Sequence, residues 1–185
     1  MAKPKSNRVR IIGGAWRSRL FPFPDVIGLR PTPDRVRETL FNWMGQDMDG
    51  KVCLDLFAGS GAMGFEALSR GAAQVVMVEL DSRAARALRE NIELLGAGHC
   101  ELVVGDALGF LGRDERHYDA IFVDPPYAQK LLPGILPGLS SRLKPGGMVY
   151  VESDSPQEFG CEWEVWRNGK AGQVLFYLLK AVKKC

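Results

Sequence analysis

From residue 51 onward, short apolar runs alternate with amphipathic helical stretches, and that alternation leaves very few architectures open to the chain. The runs lie at Val52–Phe57, Val75–Glu79, Glu101–Val104, Ala120–Val123 and Met148–Val151. Between them fall helical patterns at Met63–Arg70, Ser82–Leu95 (apolar at Ala85, Leu88, Ile92 and Leu95), a short one near Leu108–Leu111, and Lys130–Leu143. Near-continuous apolar strands alternating with helices predict a parallel sheet covered on both faces. The tail breaks the pattern. Glu162–Arg167, a turn at Asn168-Gly169, and Gln173–Leu179 are too closely spaced for a crossover helix, so they predict an antiparallel hairpin. The expected fold is α/β: a doubly wound, Rossmann-like, mostly parallel seven-stranded sheet with an antiparallel C-terminal hairpin.

At 185 residues, 46% hydrophobic and 25% charged, the chain has room for one ordinary domain and a small appendage, and its composition excludes a disordered, collagen-like or coiled-coil protein. No apolar run approaches the roughly 18 residues of a membrane span. MAKPKSNRVR at the start is basic but has no apolar segment behind it, so no secretory signal is expected. Cys53, Cys100, Cys161 and Cys185 form no C-x-x-C pair, which argues against zinc-ribbon and thioredoxin-like readings and for reduced thiols in a cytoplasmic protein.

The net charge of +2 hides an asymmetry: residues 1–37 carry nine basic side chains against two acids, while the rest of the chain sums to −5. A basic arm on a mildly acidic body suggests a polyanionic partner. Ile11, Ile12, Trp16, Leu20 and Phe21 interleave with the charges, so the arm is expected to be folded after a flexible start over residues 1–8. Arg8–Ile12 and Trp16–Phe21 predict a β-hairpin around Gly13-Gly14. Pro22, Pro24, Pro31 and Pro33 keep the connector extended, until Thr32 as N-cap and Pro33 as first helical residue start a helix with Val36, Leu40, Phe41 and Met44 on one face. The expected division is a basic nucleic-acid-binding extension over residues 1–30 and a main domain over 31–185.

Ligands of doubly wound sheets bind at the carboxyl ends of the strands. Four successive runs carry acids there: Asp55 within the first, Glu79 closing the second, Asp106 after the third and Asp124 after the fourth. Each alone suits a helix cap; together they outline an acidic rim that would repel phosphate and favour a cation or a hydroxyl-rich ligand. Gly59-Ser60-Gly61-Ala62-Met63-Gly64 is a complete G-x-G-x-x-G between the first of these strands and its helix, with Glu79 twenty residues after Gly59, placed for a ribose. The motif suits NAD, FAD and S-adenosylmethionine equally. Asp55 would face a pyrophosphate unfavourably but would suit the ammonium of a methionine moiety, and Asp106 could accept from an adenine amino group.

Asp124-Pro125-Pro126-Tyr127 is more specific. Its prolines fix the backbone so that the Asp124 carboxylate and the Pro125 carbonyl can point at one spot, matching the two hydrogens of a planar exocyclic amine. Accepting from both N–H groups localises the nitrogen lone pair, so the stabilisation grows toward a transition state in which that nitrogen attacks a methyl group. Tyr127 offers a face on which a base can stack.

Asp124–Tyr127 resembles the (D/N)-P-P-(Y/F) signature of amino-group methyltransferases, and Asp55–Gly64 resembles their cofactor loop. Arg10–Arg19 (RIIGGAWRSR), Leu29–Asn42 (LRPTPDRVRETLFN) and Asp55–Ala72 (DLFAGSGAMGFEALSRGA) resemble the RsmD family, bacterial methyltransferases of a guanine N2 in 16S ribosomal RNA. The resemblance implies a class I methyltransferase fold, S-adenosylmethionine as donor, a small-subunit assembly intermediate as substrate and a bacterial cytoplasmic location. It places Asp55, Phe57, Ala58, Gly59, Ser60, Gly61, Gly64, Glu79, Leu80, Asp106 and Ala107 in the cofactor site, with Arg30 and Thr32 of Arg30-Pro31-Thr32-Pro33 helping to close it. Asp124, Pro125, Pro126 and Tyr127 are the catalytic candidates. Arg8, Arg10, Arg17, Arg19 and Arg35, with Arg30, are the candidate RNA contacts. No metal is expected, because the leaving group is already a neutral thioether, and a monomer is the default. An adenine-N6 methyltransferase on RNA or DNA shares the amine chemistry. A cytosine-C5 enzyme would need a cysteine nucleophile after Pro or Thr, which no cysteine here provides. Outside this class remain a dinucleotide-dependent oxidoreductase and a catalytically silent RNA binder. Neither His99 nor His117 falls in a motif, and both are expected at the surface.

Overall fold

Residues 7–182 are described by a computed structural model. Lys3 and Lys5 of the basic arm, the expected flexible start up to residue 6, and Cys185 lie outside the described residues. The sheet is built from β3 (Val52–Asp55), β4 (Gln74–Glu79), β5 (Cys100–Val104), β6 (Tyr118–Val123), β7 (Leu143–Ser153), β8 (Trp163–Ala171) and β9 (Val174–Ala181). Their spatial order is β5-β4-β3-β6-β7-β9-β8. The first five pair in parallel, and β9 runs antiparallel to both β7 and β8. The order reverses between β3 and β6, which makes their carboxyl ends the natural ligand crevice of such a sheet.

Period-two alternation sorts the strand residues onto two faces. Cys53, Val75, Met77, Ala120, Phe122 and Tyr150 pack in one core with α1 (Asp34–Met44), α2 (Ala62–Ser69) and α3 (Ser82–Leu95). Leu54, Val76, Val78, Ile121, Val123, Val149 and Val151 pack in the other with α4 (Ala107–Arg113) and α5 (Leu132–Leu139). The helix read over Lys130–Leu143 is divided. Lys130 takes a left-handed φ of 47° after a 3₁₀ turn over Tyr127–Gln129, and a second 3₁₀ turn over Ser140–Arg142 follows α5. Pro137, inside α5, removes a helical donor, and Gly134 and Gly138 weaken what remains.

Two turns differ from the sequence reading. The C-terminal hairpin reverses at Gly172-Gln173, where Ala171 pairs with Val174, rather than at Asn168-Gly169. Gly169 lies inside β8 because the ring of Phe176 occupies the space a Cβ would need. The N-terminal hairpin pairs β1 (Asn7–Arg10) with β2 (Leu20–Phe23), and residues 11–19 form a long excursion instead of a tight turn at Gly13-Gly14. Four donors of that excursion are taken by α2: Ile12 and Gly13 N–H donate to Glu66 (2.9 and 2.8 Å), Ala15 N–H to the Ser69 carbonyl (2.7 Å) and Trp16 N–H to Ser69 Oγ (2.9 Å). A Cβ at Gly14 would run into the Ser69 carbonyl, so only glycine fits there.

Glu66 is fully buried and also accepts from Arg37 Nη1 (3.0 Å) and Arg70 Nε (2.9 Å). Arg37, 1% exposed, donates further to the carbonyls of Arg10 and Thr32 and to Asp34. Burial pulls its guanidinium pKa down while Glu66 and then Asp34 hold it up. Val9, Ile11 and Phe21 complete the docking: they belong to the same core as α2, with Phe21 edge-on to Phe65 at 5.0 Å. The basic extension is therefore welded to the main domain by apolar packing and a buried ion cluster.

Candidate active site

Between β3 and α2 the chain must turn sharply, and Gly59 and Gly61 take left-handed φ values of 52° and 83° to do so. Each glycine of the motif has a separate reason. Gly61 could not carry a Cβ without meeting Phe65 and Leu88; Gly64 sits where a Cβ would strike Met77 and press on Val75 (3.2 Å) and Asp55 (3.3 Å), so α2 can lie close on β4. A Cβ at Gly59 would meet, among the described residues, only Leu29 at 3.8 Å and the Phe57 carbonyl at 3.9 Å within 4 Å, so this side of its backbone leaves room for a ligand.

Asp55, the last residue of β3, is 3% exposed and accepts from Gly64 N–H (3.0 Å). Burial pushes its pKa up to about 7, against the Gly64 hydrogen bond and with added repulsion from Glu79. Glu79, at the end of β4, accepts from Gly59 N–H and Asp81 N–H, both at 2.7 Å. It thereby ties the glycine turn to the start of α3, and each oxygen keeps a lone pair for a ribose hydroxyl. Asp106 caps α4 through Gly109 N–H (2.7 Å) and is exposed. The capping role and the ligand role are both open to it.

Phe57, Glu79, Leu80, Asp106, Ala107 and Pro126 come together in one cleft of about 140 Å³, closed by Leu56, Val78, Gly105, Leu108, Gln129 and Leu131. Leu56 and Phe57 ahead of the glycine turn, the ends of β4 and β5 and Pro126 of the Asp-Pro-Pro-Tyr loop thus share one wall, which Asp124, Pro125 and Tyr127 do not line. Leu80 and Leu108 are exposed apolar side chains at its rim, the kind of surface a flat heterocycle would cover. Ala58, Ser60 and Gly61 sit buried behind it in the turn itself.

Asp124 follows β6 and is half-buried. Its pKa is held well above the ordinary carboxylate range by burial first, then by Glu152 and Asp55. Pro125 is buried, Pro126 is exposed, and Tyr127 begins a 3₁₀ turn with its ring half-buried. The Tyr127 phenol is shifted up by burial, then by the nearby carboxyls of Asp124 and Glu152.

Glu152 is the residue that sequence reasoning missed. It lies near the carboxyl end of β7, is 2% exposed, and accepts from the Tyr150 hydroxyl at 2.7 Å, while burial raises its pKa. It is a fifth acid on the fifth successive parallel strand. The signal was present, because it is the residue that follows the apolar run Met148–Val151. Thr32 does not cap α1 as expected: the helix starts at Asp34, with Pro33 in the N-cap position and no side-chain cap, and Thr32 is buried.

Arg8, Arg10, Arg17, Arg19, Arg30 and Arg35 are all exposed. Arg10 pairs with Asp34 (3.2 Å), and Arg19 donates to the Leu94 carbonyl (3.1 Å). Both histidines are exposed. Burial raises the Cys53 and Cys100 thiols to about 12, which leaves neither suited to nucleophilic attack.

The family described as Conserved hypothetical protein 95 matches residues 9–180. A Ribosomal RNA small subunit methyltransferase D from Escherichia coli (strain K12) is 42% identical over 186 residues, covering 96% of this chain and 94% of that protein. Its namesake from Haemophilus influenzae is 40% identical over 180 residues, covering 93% of each. Among solved structures, an Escherichia coli protein described as a methyltransferase, yhhF, superposes with a TM-score of 0.87 at 40% identity, covering 96% of this chain and 100% of that one.

Proposed function

The chain belongs to the Conserved hypothetical protein 95 family, in which its curated relatives are ribosomal RNA small subunit methyltransferases D, and we propose on that footing that it moves a methyl group from S-adenosylmethionine to the exocyclic N2 amine of a guanine in small-subunit (16S) ribosomal RNA. The single observation that carries the chemistry is the shared cleft: Pro126 of Asp124-Pro125-Pro126-Tyr127 forms one wall with Phe57 and Glu79 beside the glycine turn. The adenine-N6 reading, which the same loop would serve, is not favoured by relatives of this name.

The residues present fit the donor. Gly59 leaves open backbone where a side chain would obstruct, Glu79 keeps lone pairs for ribose hydroxyls, Leu80, Ala107 and Leu108 would flank the adenine with Asp106 at its amino group, and Asp55 with Ser60 and Gly61 would face the methionine end. When bound, the donor supplies an electrophilic methyl whose leaving group is a neutral thioether. The protein's own part is positioning and charge. Asp124 and the Pro125 carbonyl accept from the two amine hydrogens, Tyr127 stacks on the extruded base, and the Asp124 carboxylate is placed to receive the proton that the methylated nitrogen sheds.

Arg8, Arg10, Arg17, Arg19, Arg30 and Arg35 would hold the RNA backbone, which makes residues 1–30 a functional extension despite their shared core. A small-subunit assembly intermediate in the bacterial cytoplasm, met by a monomer, is the substrate setting this reading implies. Among the described residues no helix is long and apolar enough to cross a membrane. Mapping modified nucleotides in small-subunit RNA from cells lacking the protein tests the assignment. The loss of one N2-methylguanine is expected; loss of an N6-methyladenine, or of no methyl group, would contradict it.

A further inference from the structure

β8 ends the sheet, so one side of it has no strand to pair with. From Glu164 to Asn168 every side chain on it is exposed. Such an edge invites another strand unless a bulge or a row of charges blocks it. Trp166 is the extra residue of a bulge here, between Val165, opposite Leu179, and Arg167, opposite Leu178. A bulge also re-aims side chains. The exposed Trp166 indole carries two cations on its ring: Lys180 Nζ lies 3.3 Å from the centroid and Arg167 Cζ 4.4 Å. Arg167 Nη1 also donates to the Trp166 carbonyl (2.9 Å). Among the described residues, Arg167, Lys170 and Lys180 form no ion pair with a carboxylate, although Glu164 stands opposite Lys180 in the ladder. A ring that pre-orders two unneutralised cations suits an anion better than a strand.

The register fixes where this patch stands. Val123 pairs with Val151, Glu152 with Phe176, and Phe176 with Gly169. Asp124 and Gly169 therefore lie on one row across β6, β7, β9 and β8, three strand spacings or about 14 Å apart. β8 runs parallel to β7, since both are antiparallel to β9, so Lys170 and the turn at Gly172-Gln173 lie at the same pole as the amine grip. The basic hairpin docks on α2 and α3, which follow β3 and β4 on the other side of the crevice. We propose that the β8–β9 hairpin is a second RNA-backbone contact, in which Lys170, Arg167 and the Lys180 seated on Trp166 take phosphates of the strand that flanks the target guanine. The inference rests on the RNA methyltransferase reading above and adds a surface outside the basic extension. Extruding a base costs unstacking energy, and holding the backbone on both sides of it offsets that cost: the arm holds one side and this edge the other. About 14 Å spans roughly four stacked nucleotides at ~3.4 Å each, so the phosphates reached are a few nucleotides from the guanine.

The test is binding of small ribosomal subunits, isolated from cells lacking the protein, to wild type and to the double variant Arg167→Gln, Lys180→Gln, measured from about 50 to 200 mM salt. The double variant is expected to bind about tenfold more weakly, with the slope of log affinity against log salt reduced by about two. Its S-adenosylhomocysteine affinity should stay close to wild type, since neither side chain is buried or near the glycine turn. An unchanged subunit affinity and salt slope would overturn the proposal. So would sedimentation of the wild type as a dimer that Trp166→Glu splits, because a second copy would then occupy the edge. If the double variant does not fold, Lys170→Gln at the exposed end of β8 should weaken binding about threefold and lower the slope by about one; an unchanged slope would overturn the proposal. Failure of the wild type itself to bind or methylate the subunits would instead overturn the functional reading.

Discussion

Three carboxyls meet at the crevice between β3 and β6, and their surroundings divide their work. Asp55 is buried with a single backbone donor, so its charge is poorly supported and its pKa rises to about 7. Glu79, with two backbone donors, stands half-exposed. Asp124 is raised first by burial and then by the charges of Glu152 and Asp55. A raised carboxyl pKa means the folded state binds the proton more tightly than the unfolded chain, so stability falls as pH rises from the ordinary carboxylate range through about 7. Asp55→Asn should remove that slope, worth up to about 4 kcal/mol by linkage, as read from urea unfolding at pH 5 and pH 8. An unchanged slope would mean that Asp55 is solvated. S-adenosylhomocysteine should also protect the wild type more at pH 8 than at pH 5, since its ammonium would sit beside the ionised form.

Among the elements, Glu66 on α2 decides how the basic hairpin is carried. It takes two backbone N–H groups from the hairpin excursion and two guanidinium groups from α1 and from the end of α2. Removing one member of such a buried cluster leaves uncompensated charge and typically costs about 3–5 kcal/mol. Glu66→Ala should therefore lower stability by that order and speed amide exchange over residues 8–23 more than in the sheet; uniform exchange would show that apolar packing alone holds the hairpin. This docking was hidden in the sequence. Arg37 and Glu66 look there like ordinary helix-surface charges, and Gly13-Gly14 looks like a turn because nothing local says that Glu66 and Ser69 will claim its neighbours' donors. By contrast α3 was legible to its last residue, since Asp81 caps it at one end and left-handed Gly96 stops it at the other. The four acids, the glycine turn and Asp124–Tyr127 were legible because strand-end position is written in local hydrophobic pattern. Glu152 was readable by the same rule, as the residue after the run Met148–Val151.

Across the whole molecule, the exposed arginines of the hairpin and its connector sit on a body whose remaining charge is negative. An RNA drawn by that arm would be steered past the acidic strand ends, where a cationic donor is favoured and phosphates are not. Replacing Arg17 and Arg19 with glutamine should weaken RNA binding and reduce the slope of log affinity against log salt by about one per arginine, with donor-analogue affinity unchanged. Equal loss of both affinities would make the hairpin a structural support only. The sharpest test of the account remains at the amine grip. Calorimetric binding of S-adenosylhomocysteine to Asp124→Ala, run beside methyl transfer to small subunits, should show affinity close to wild type and transfer reduced by at least about 10²-fold. Undiminished transfer by that variant would contradict the account at its centre.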